Sequence, residues 1–340
     1  MIDSLIQKIS GKENLTRAEA AWGMDEIMSG TSSHSQIAQF LIGLKEKGEA
    51  VTEVAGFVDS MRRHALRLTL SDSNAVDGCG TGGDGSHSFN ISTAAALVAA
   101  SAGATVAKHG NRSVSSKCGS ADLLEATGMA IDPGEKRVLR SIEELKFGFM
   151  FAPRFHPAMK HATAVRKELG VRTVFNILGP MTNPAGVTRQ IIGVYDRSLM
   201  PLIADVMELT GSKHVLVLHG RDGLDEFSVS AITDYIEIKD GKRNSASIEP
   251  TDAGLIMYPK GALAGGDASA NLSILEDVLN GKKSACRDAA IFNAGAMLYV
   301  AGHADSIGDG TGRASEAIDS GDAREKLNAV VAESVRVDAN

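Results

Sequence analysis

Residues 78–112 read GCGTGGDGSHSFNISTAAALVAASAGATVAKHGNR and contain three features in succession. A glycine-rich loop at 78–83 comes first, and an uninterrupted apolar run at 94–100 follows it. A short β-branched run at 104–107 then leads into Lys108. The apolar run is typical of a buried helix, and the shorter run is typical of a strand. Loop, helix and strand in close succession indicate an α/β fold.

The chain on either side of this stretch divides into a helical start, an alternating middle and a helical tail. Over residues 1–70 the apolar positions recur at helical spacing; Thr16 and Ser33 can each cap a helix, and Thr52 opens a third. Further strand candidates lie at 190–195, 214–218 and 235–238. The pattern predicts two lobes with a cleft: a helical domain at 1–70 plus roughly 165–190, and an α/β domain at 71–164 and 191–340.

The glycine-rich loop matches the G-x-G-x-x-G pattern of dinucleotide-binding domains, which is therefore the first alternative. That motif needs a helix that opens at the loop and an acidic residue about 20 positions later. After Asp84 the next acidic residue is Asp122, and Lys108, Arg112 and Lys117 lie between them. This interval favours an anion site over a dinucleotide site. A tight structural turn is the second alternative.

A phosphate site explains the loop best. Backbone N–H groups of glycines can approach phosphate oxygens closely, and Thr81 and Asp84 add polar side chains. The polar segment 90–93 precedes the apolar run, so it lies at a helix N-terminus, where unpaired N–H groups and the helix dipole favour anions. An ordinary helix cap is the alternative, but its closeness to the glycine loop indicates a second phosphate contact.

The segment 108–122 is dense in groups that bind anions. It carries three fixed cations, four serines and two glycines, and no acidic residue precedes Asp122. A charge run is often only a solvated surface, and Ser120 can cap a short helix. The position of the segment directly after a strand candidate, together with the glycine loop, favours phosphate binding.

Adjacent carboxylates follow a third strand candidate. Asp225 and Glu226 come shortly after the run at 214–218, and ligand sites in α/β sheets lie at that edge. Magnesium often uses only one or two carboxylates together with substrate phosphates and water, so the pair can complete a metal–pyrophosphate site. A surface acidic pair without function is the alternative. The spacing of His156 and His161 does not put both on one helix face, and no zinc site is predicted.

Composition excludes several functional classes. The net charge of −7 disfavours nucleic acid and anionic membranes as partners, because both require a basic surface. The three cysteines, at 79, 118 and 286, form no CxxC pair, which fits a reducing cytoplasm without disulfides or structural zinc. There is no apolar run of roughly 20 residues that could span a membrane. A cytoplasmic globular protein is expected.

Several blocks of the sequence occur in a recognisable order: 80–84, 89–93, 108–116, 119–122, 156–159, 172–176, 178–180 and 223–226. Taken together, these blocks resemble the anthranilate phosphoribosyltransferase family over nearly the whole chain. Ser88 stands where threonine is expected in that family, and Cys79 stands where a branched aliphatic residue is commoner; neither difference removes a functional group that the family needs.

The resemblance implies a small all-helical N-terminal domain plus a larger α/β domain with a central mixed, mainly parallel sheet, the fold of nucleoside phosphorylases and class III phosphoribosyltransferases. It implies a glycosyltransferase of tryptophan biosynthesis, and so of aromatic amino-acid biosynthesis. The reaction transfers the 5-phosphoribosyl group of phosphoribosyl pyrophosphate to anthranilate. A homodimer and Mg²⁺, as two ions per site, are implied too. A nucleoside phosphorylase and a non-catalytic nucleic-acid-binding relative remain the alternatives.

The resemblance also assigns binding residues. It implies that no side chain acts as a catalytic acid, base or nucleophile. Magnesium would be bound by Ser92, Asp225 and Glu226. Anthranilate would contact Gly80, Asn111, His156 and Arg166, whose planar fork suits a carboxylate. The phosphoribosyl pyrophosphate site would comprise Gly80, Gly83, Asp84, Ser88, Asn90, Ile91, Ser92, Thr93, Lys108, His109, Gly110, Asn111, Arg112, Ser113, Val114, Ser115, Ser116 and Ser120.

Overall fold

The structure, a computed structural model, describes residues 2–113 and 117–336. The strands of its central sheet are β1 (Val76–Gly80), β2 (Val106–Gly110), β3 (Phe147–Phe151), β4 (Arg189–Gly193), β5 (His214–Gly220), β6 (Thr233–Lys239) and β7 (Lys242–Ile248). Their order is β3-β2-β1-β4-β5-β6-β7. The first five strands are parallel, and β6 and β7 are antiparallel to their neighbours. The expected mixed, mainly parallel sheet is confirmed.

Helices precede the sheet, connect its strands and follow it. Those before β4 are α1 (Ile2–Ser10), α2 (Arg17–Met28), α3 (His34–Lys47), α4 (Val51–His64), α5 (Ile91–Ser101), α6 (Ser120–Ala126), α7 (Glu135–Leu145), α8 (Ala152–Phe155), α9 (Lys160–Leu169) and α10 (Phe175–Met181). The later ones are α11 (Met200–Leu209), α12 (Ala268–Leu279), α13 (Ala285–Ala301), α14 (Ile307–Asp319) and α15 (Asp322–Val335). Within the described ranges, none is long and apolar enough to cross a membrane.

The N-terminal helices begin where capping chemistry predicts. Thr16 and Ser33 each accept a hydrogen bond from the backbone of the third helical residue, and the side chain of that residue bonds back. Thr52 differs from its predicted place, because α4 begins at Val51. Its hydroxyl donates to the Leu15 carbonyl (3.0 Å) and so ties the first turn of α4 to the start of α2.

An apolar core joins the N-terminal helices to two later ones. Helix α1 buries Ile2, Leu5, Ile6 and Ile9 on one face, and each such side chain stabilises the fold by roughly 2 kcal/mol. Helix α9 packs against α2 and α3, and α10 packs against α4. The helices of the segment 165–190 thus share the core of the first four helices. The exact domain bounds stay a prediction.

The helical core just described packs on one face of the sheet. Helix α5 packs on the opposite face and is buried along nearly its whole length. Its residues 94–100 are at most 1% exposed, and it packs against α13 and α15 as well as β1 and β2. Alanines predominate in this run, so the neighbouring elements can approach closely. The start of α5 is therefore fixed near the carboxyl end of β1.

The sheet has one topological switch point. From β1 the chain proceeds through α5 to β2 on one side, whereas β4, on the other side of β1, leads outward to β5. The loops after β1 and β4 consequently diverge and leave a crevice at the carboxyl ends of these strands. The glycine-rich loop, which follows β1, lies at this crevice.

Candidate active site

The loop after β1 is fastened to the neighbouring strand β4. The Thr81 N–H donates to the carbonyl of Gly193 (2.8 Å), and the Tyr195 N–H donates to Thr81 Oγ1 (3.1 Å). These bonds connect the two sides of the switch point. The loop is thereby positioned over the crevice by its backbone and one hydroxyl.

Two glycines that end strands bring residue 225 against this loop. A Cβ added at Gly80 would overlap the Asp225 carboxylate, and one added at Gly193 would overlap the Asp225 backbone carbonyl. The Asp225 Oδ2 atom accepts a hydrogen bond from the Gly82 N–H (2.8 Å). A predicted metal ligand and the predicted phosphate loop, far apart in sequence, are therefore in contact.

The turn of the loop requires glycine. Gly82, Gly83 and Gly85 have φ values of 67°, 76° and 71°, a region that residues with a Cβ rarely adopt. No helix begins within the loop, since α5 starts only at Ile91. That arrangement excludes the dinucleotide alternative, and successive N–H groups in such turns form a concavity for anions.

A buried ammonium lies beside the loop. Lys108 is 1% exposed, and its Nζ donates to the Gly78 carbonyl (3.0 Å) and to Ser92 Oγ (3.3 Å). It therefore connects the end of β1 with the first turn of α5. Its positive charge partly offsets the effect of burial on the pKa of Glu226. An anionic ligand here would meet a cation that is already largely desolvated.

Three carboxylates converge opposite Lys108. Burial, and next the charge of Asp84, raises the pKa of Asp225; burial, and next the charge of Asp225, raises the pKa of Glu226. Asp84 Oδ2 is buried without a hydrogen-bond partner among the described residues. Buried acids that repel one another favour a cation between them. Their oxygens fit a hard divalent ion such as Mg²⁺.

The chain does not supply a complete metal cage. In the ranges 2–113 and 117–336, no group of three or more His, Cys, Asp or Glu side chains has the arrangement to hold a metal ion. Magnesium commonly takes one or two carboxylates and completes its shell with water and substrate phosphates. The site therefore suits a cation that arrives together with a phosphate ligand.

The second predicted loop is closed around Asp122. The Asp122 Oδ2 atom accepts from the N–H groups of Ser113 (3.0 Å) and Gly119 (2.8 Å). Arg112, a predicted phosphate contact, forms ion pairs with Asp122 (2.9 Å) and Glu125 (2.7 Å). Its side chain is 45% exposed, so an anion would have to compete with these carboxylates.

Gly110, Ser120 and Ser88, which were also predicted for the phosphoribosyl pyrophosphate site, contact other residues of the two loops and of the sheet. The Ser120 hydroxyl donates to the Asn111 carbonyl (3.2 Å), and there is no room for a Cβ at Gly110 because Ser120 and Phe149 are adjacent. Ser88 Oγ accepts from the Ser86 hydroxyl (3.2 Å). The predictions for Val114, Ser115 and Ser116 lie outside the described residues.

The segment 90–93 begins α5, as predicted, but its side chains have different surroundings. The Asn90 amide donates to the Cys118 carbonyl (3.1 Å) and its oxygen accepts from Asn271 (2.9 Å), which joins the two loops. Ile91 and Thr93 are buried in the core, and their N–H groups donate to backbone carbonyls. Only Ser92 of this segment has its side chain beside Lys108.

Two histidines predicted for different substrates lie together. The rings of His109 and His156 are 5.0 Å apart between centroids, and the two residues are only 8% and 5% exposed. Burial lowers the pKa of His109 to about 3 and that of His156 to about 4. Arg166 lies 5.1 Å from the centroid of the Phe175 ring at the start of α10, and burial lowers its pKa too.

Arg172 and Tyr195 hold the glycine-rich loop in place, although neither residue was predicted to belong to the site. The Arg172 guanidinium stacks on the Tyr195 ring, 3.8 Å from its centroid, and donates to the carbonyl of Gly83. Arg172 belongs to a block that supported the resemblance, and that block was the only available signal. No sequence motif pointed to its partner, Tyr195.

A buried polar network beneath the histidines was also missed. Asp77 accepts from the Asn183 amide (2.7 Å), which donates in addition to the Ala107 carbonyl (2.9 Å). Burial raises the pKa of Asp77 to about 6. Nothing in the local sequence distinguishes Asp77 from an ordinary strand residue, because its partners come from distant elements.

Comparison with known proteins is consistent with this geometry. Residues 72–324 match the family described as "Glycosyl transferase family, a/b domain", and residues 3–65 match "Glycosyl transferase family, helical bundle domain". The anthranilate phosphoribosyltransferase of Anaeromyxobacter sp. (strain K) is 49% identical over 332 residues, 98% of this chain and 98% of that relative. The chain belongs to the anthranilate phosphoribosyltransferase family. The Brevibacillus brevis enzyme of that name is 47% identical over 330 residues, 97% of each chain.

Solved structures of anthranilate phosphoribosyltransferases share the fold. That from Thermus thermophilus has a TM-score of 0.93 and 40% identity, over 97% of this chain and 99% of the other. That from Saccharomyces cerevisiae in complex with PRPP and Mg has a TM-score of 0.90 and 27% identity, over 98% and 97%. The expected helical N-terminal domain and larger α/β domain are thereby confirmed.

Proposed function

We propose that this chain transfers the 5-phosphoribosyl group from phosphoribosyl pyrophosphate to anthranilate. The products are N-(5-phosphoribosyl)anthranilate and pyrophosphate, and the reaction is the second step of tryptophan biosynthesis from chorismate. The observation that carries the proposal is the contact between the glycine loop and Asp225 at the switch point. It joins an anion concavity to carboxylates suited to a cation, as a magnesium-bound pyrophosphate requires.

The donor is proposed to lie between the two loops. Lys108 bonds to Ser92 in the first turn of α5, so its ammonium and the positive end of the helix dipole lie together and would offer positive charge to phosphate oxygens. Backbone N–H groups of the glycine loop would add further donors. The residues assigned to phosphoribosyl pyrophosphate in the sequence analysis remain the proposed set. Arg172 is added as the residue that holds the carbonyl of Gly83.

Mg²⁺ is the proposed cation, with Ser92, Asp225 and Glu226 as its protein ligands and two ions per site. Bound magnesium would offset the negative charge on the departing pyrophosphate. The yeast relative crystallised with PRPP and Mg supports the pairing of this donor with this cation. Of these ligands, Ser92 also accepts a hydrogen bond at its Oγ from the buried ammonium of Lys108 (3.3 Å).

The acceptor is proposed to enter from the side of α9 and α10. Arg166 would bind the carboxylate of anthranilate, and Gly80, Asn111 and His156 would contact the ring and amine. A yeast relative crystallised with 4-fluoroanthranilate supports a ligand of this shape; it has a TM-score of 0.88 and 26% identity, over 98% and 97% of the two chains. Burial of Arg166 strengthens a charge-assisted bond to a carboxylate.

Catalysis would depend on position and charge. The amine of anthranilate is aromatic and therefore neutral at pH 7, so it can attack C1 of the ribose without prior deprotonation. Orientation by Arg166 and Asn111, and loop N–H groups directed at the departing pyrophosphate, would lower the barrier. Closure of the lobes would exclude water, since hydrolysis of the activated sugar is the competing reaction.

We also propose that the protein is a homodimer and acts in the cytoplasm. The proposed domain bounds are those expected from the sequence: a helical domain at 1–70 plus roughly 165–190, and an α/β domain at 71–164 and 191–340. Nucleoside phosphorolysis is the second candidate reaction of this fold, and a test of the function must include it.

The test is an omission series with purified protein. Anthranilate fluorescence should fall only when anthranilate, phosphoribosyl pyrophosphate and Mg²⁺ are all present, and EDTA should stop the reaction. A parallel series supplies nucleosides with inorganic phosphate. Release of free base in that series, with no loss of anthranilate in the first, would replace the proposed function by nucleoside phosphorolysis.

A further inference from the structure

The paired imidazoles of His109 and His156 have free acceptor atoms in a buried place. Nε2 of each ring is buried and has no hydrogen-bond partner among the described residues. Both residues are more than nine-tenths buried, and their rings lie 5.0 Å apart. Two desolvated nitrogens without partners are costly unless a ligand occupies them.

The other nitrogen of each ring fixes the tautomer. The carbonyl of Gly179 bonds to the His109 ring, and the carbonyl of Thr182 bonds to the His156 ring; each interaction favours a ring that donates. Since Nε2 is unpartnered in both, the donors are the Nδ1–H groups. A neutral imidazole that donates from Nδ1 carries its lone pair on Nε2. The site therefore presents two lone pairs.

The rings lie on the side of the crevice that is proposed for the acceptor. Successive residues of β2 point to opposite faces of the sheet, so Lys108 contacts Ser92 and α5, whereas His109 faces His156 and α10. Arg166 stacks over Phe175, the first residue of the same helix α10. A Cβ added at Gly179 would meet nothing within 4 Å, so there is open space on α10 beside the pair.

We propose that His109 and His156 together receive the amino group of the acceptor at their Nε2 atoms, and that one of them takes the proton the amine releases. The inference rests on the proposed function, because it assigns a step of that reaction. An NH₂ group offers two donors, which is the number of acceptors that the pair presents. His109 is then a residue of the acceptor site, in addition to its predicted place in the donor loop.

The proposed step conserves atoms, electrons and charge. The amine lone pair forms the N–C1 bond, and the C1–O bond breaks with its electrons leaving on pyrophosphate. The nitrogen, now positively charged, gives one proton to an Nε2 lone pair, and the resulting imidazolium returns it to water when the products leave. No further reactant is required.

Weak bases suffice for this transfer. An arylammonium is a much stronger acid than an alkylammonium, because the lone pair of its neutral form is delocalised into the ring. Imidazoles that stay neutral throughout the physiological range can therefore still accept its proton. The Nε2 atom of such a ring would also remain unprotonated before the reaction, so that it can accept a hydrogen bond from the N–H group of the incoming amine.

The experiment compares anthranilate with benzoate, which has the carboxylate but lacks the amine. In His109→Phe and His156→Phe, kcat for anthranilate should fall about a hundredfold. The inhibition constant of benzoate and the KM for phosphoribosyl pyrophosphate should change by less than about threefold, since Arg166 and the donor loop remain. His156→Gln, which restores an acceptor oxygen but no titratable nitrogen, should recover KM for anthranilate and not kcat.

His214→Phe is the matched control. His214 is also a buried histidine of the sheet, bonded to Glu237 (2.8 Å), but it lies at the start of β5, away from the crevice. Its substitution should lower thermal stability and leave the kinetics intact. Unchanged kcat in both phenylalanine variants, or equal losses for benzoate and anthranilate, would overturn the inference while leaving transfer by the unaltered protein in place. Absence of transfer by the unaltered protein would instead refute the proposed function.

Discussion

The proposed donor side and the proposed acceptor side of the crevice consist of different kinds of groups. The proposed donor side consists largely of backbone, namely glycines with positive φ and the start of α5, together with the buried Lys108. The proposed acceptor side consists of side chains, with two buried histidines and one arginine near α10. A pyrophosphate needs many donors and countercharge, whereas an aromatic amine needs a shaped pocket with few polar atoms. Substitutions on the two sides should therefore change the kinetic parameters of different substrates.

The largest effect is expected from Gly193→Ala. The new Cβ would overlap the Asp225 carbonyl, so Asp225 must move away from the glycine loop. Initial rates should show a loss in kcat/KM of at least about a hundredfold, because small displacements of catalytic groups cost that much. Gly312→Ala is the control: it lies in α14, with nothing within 4 Å of its Cβ, and should stabilise the protein by up to about 1 kcal/mol. Equal activity of both variants would contradict the packing argument.

Asp225→Asn should come next. It keeps the shape but removes one of the charges that favour a cation, so the Mg²⁺ concentration for half-maximal rate should rise by about ten- to a hundredfold. A magnesium titration of the initial rate measures this. Asp240→Asn, in an exposed turn whose positive φ suits asparagine, should leave the titration unchanged. A normal magnesium requirement in the Asp225 variant would remove this residue from the metal site.

Arg166→Ala should affect the acceptor alone. Loss of a charge-assisted bond to the carboxylate should raise the KM for anthranilate about tenfold or more, while the KM for phosphoribosyl pyrophosphate stays the same. Arg313→Ala removes an exposed arginine paired with Asp309 in the same helix and serves as the control. If the Arg166 variant kept the original KM for anthranilate, the carboxylate would have to bind elsewhere.

The smallest effect is expected from Arg172→Lys. Lysine keeps the charge but loses the planar stacking on Tyr195 and the fork that contacts Gly83. The KM for phosphoribosyl pyrophosphate should rise roughly two- to fivefold, the equivalent of a weak cation–π contact. A larger change in the KM for anthranilate than in that for the donor would place Arg172 on the acceptor side.

Local chemistry explains which elements were predictable. Caps at Thr16 and Ser33 and the apolar run at 94–100 depend on neighbours in sequence, and each predicted its element. Strand β7 reads KRNSASI and is largely exposed at the sheet edge, so hydrophobic alternation could not reveal it. The motifs likewise located both loops and the acidic pair, since each is contiguous in the chain.

Contacts between distant segments could not be predicted in the same way. The stacking of Arg172 on Tyr195, the burial of Asp77 with Asn183, and the pairing of His109 with His156 all depend on the folded sheet and on α10. The side of the sheet that His109 faces was also undetermined, because it follows from the register of β2. The histidine pair belongs to the proposed acceptor side, and the stacking of Arg172 on Tyr195 belongs to the proposed donor side.

The most direct test of phosphoribosyl transfer measures both changes in one sample. Purified protein, anthranilate, phosphoribosyl pyrophosphate and Mg²⁺ are mixed, and anthranilate fluorescence and released pyrophosphate are followed together. One pyrophosphate should be released for each anthranilate consumed, and neither quantity should change when Mg²⁺ is left out. Pyrophosphate release without loss of anthranilate would identify a hydrolase, and no change in either from folded protein would contradict phosphoribosyl transfer.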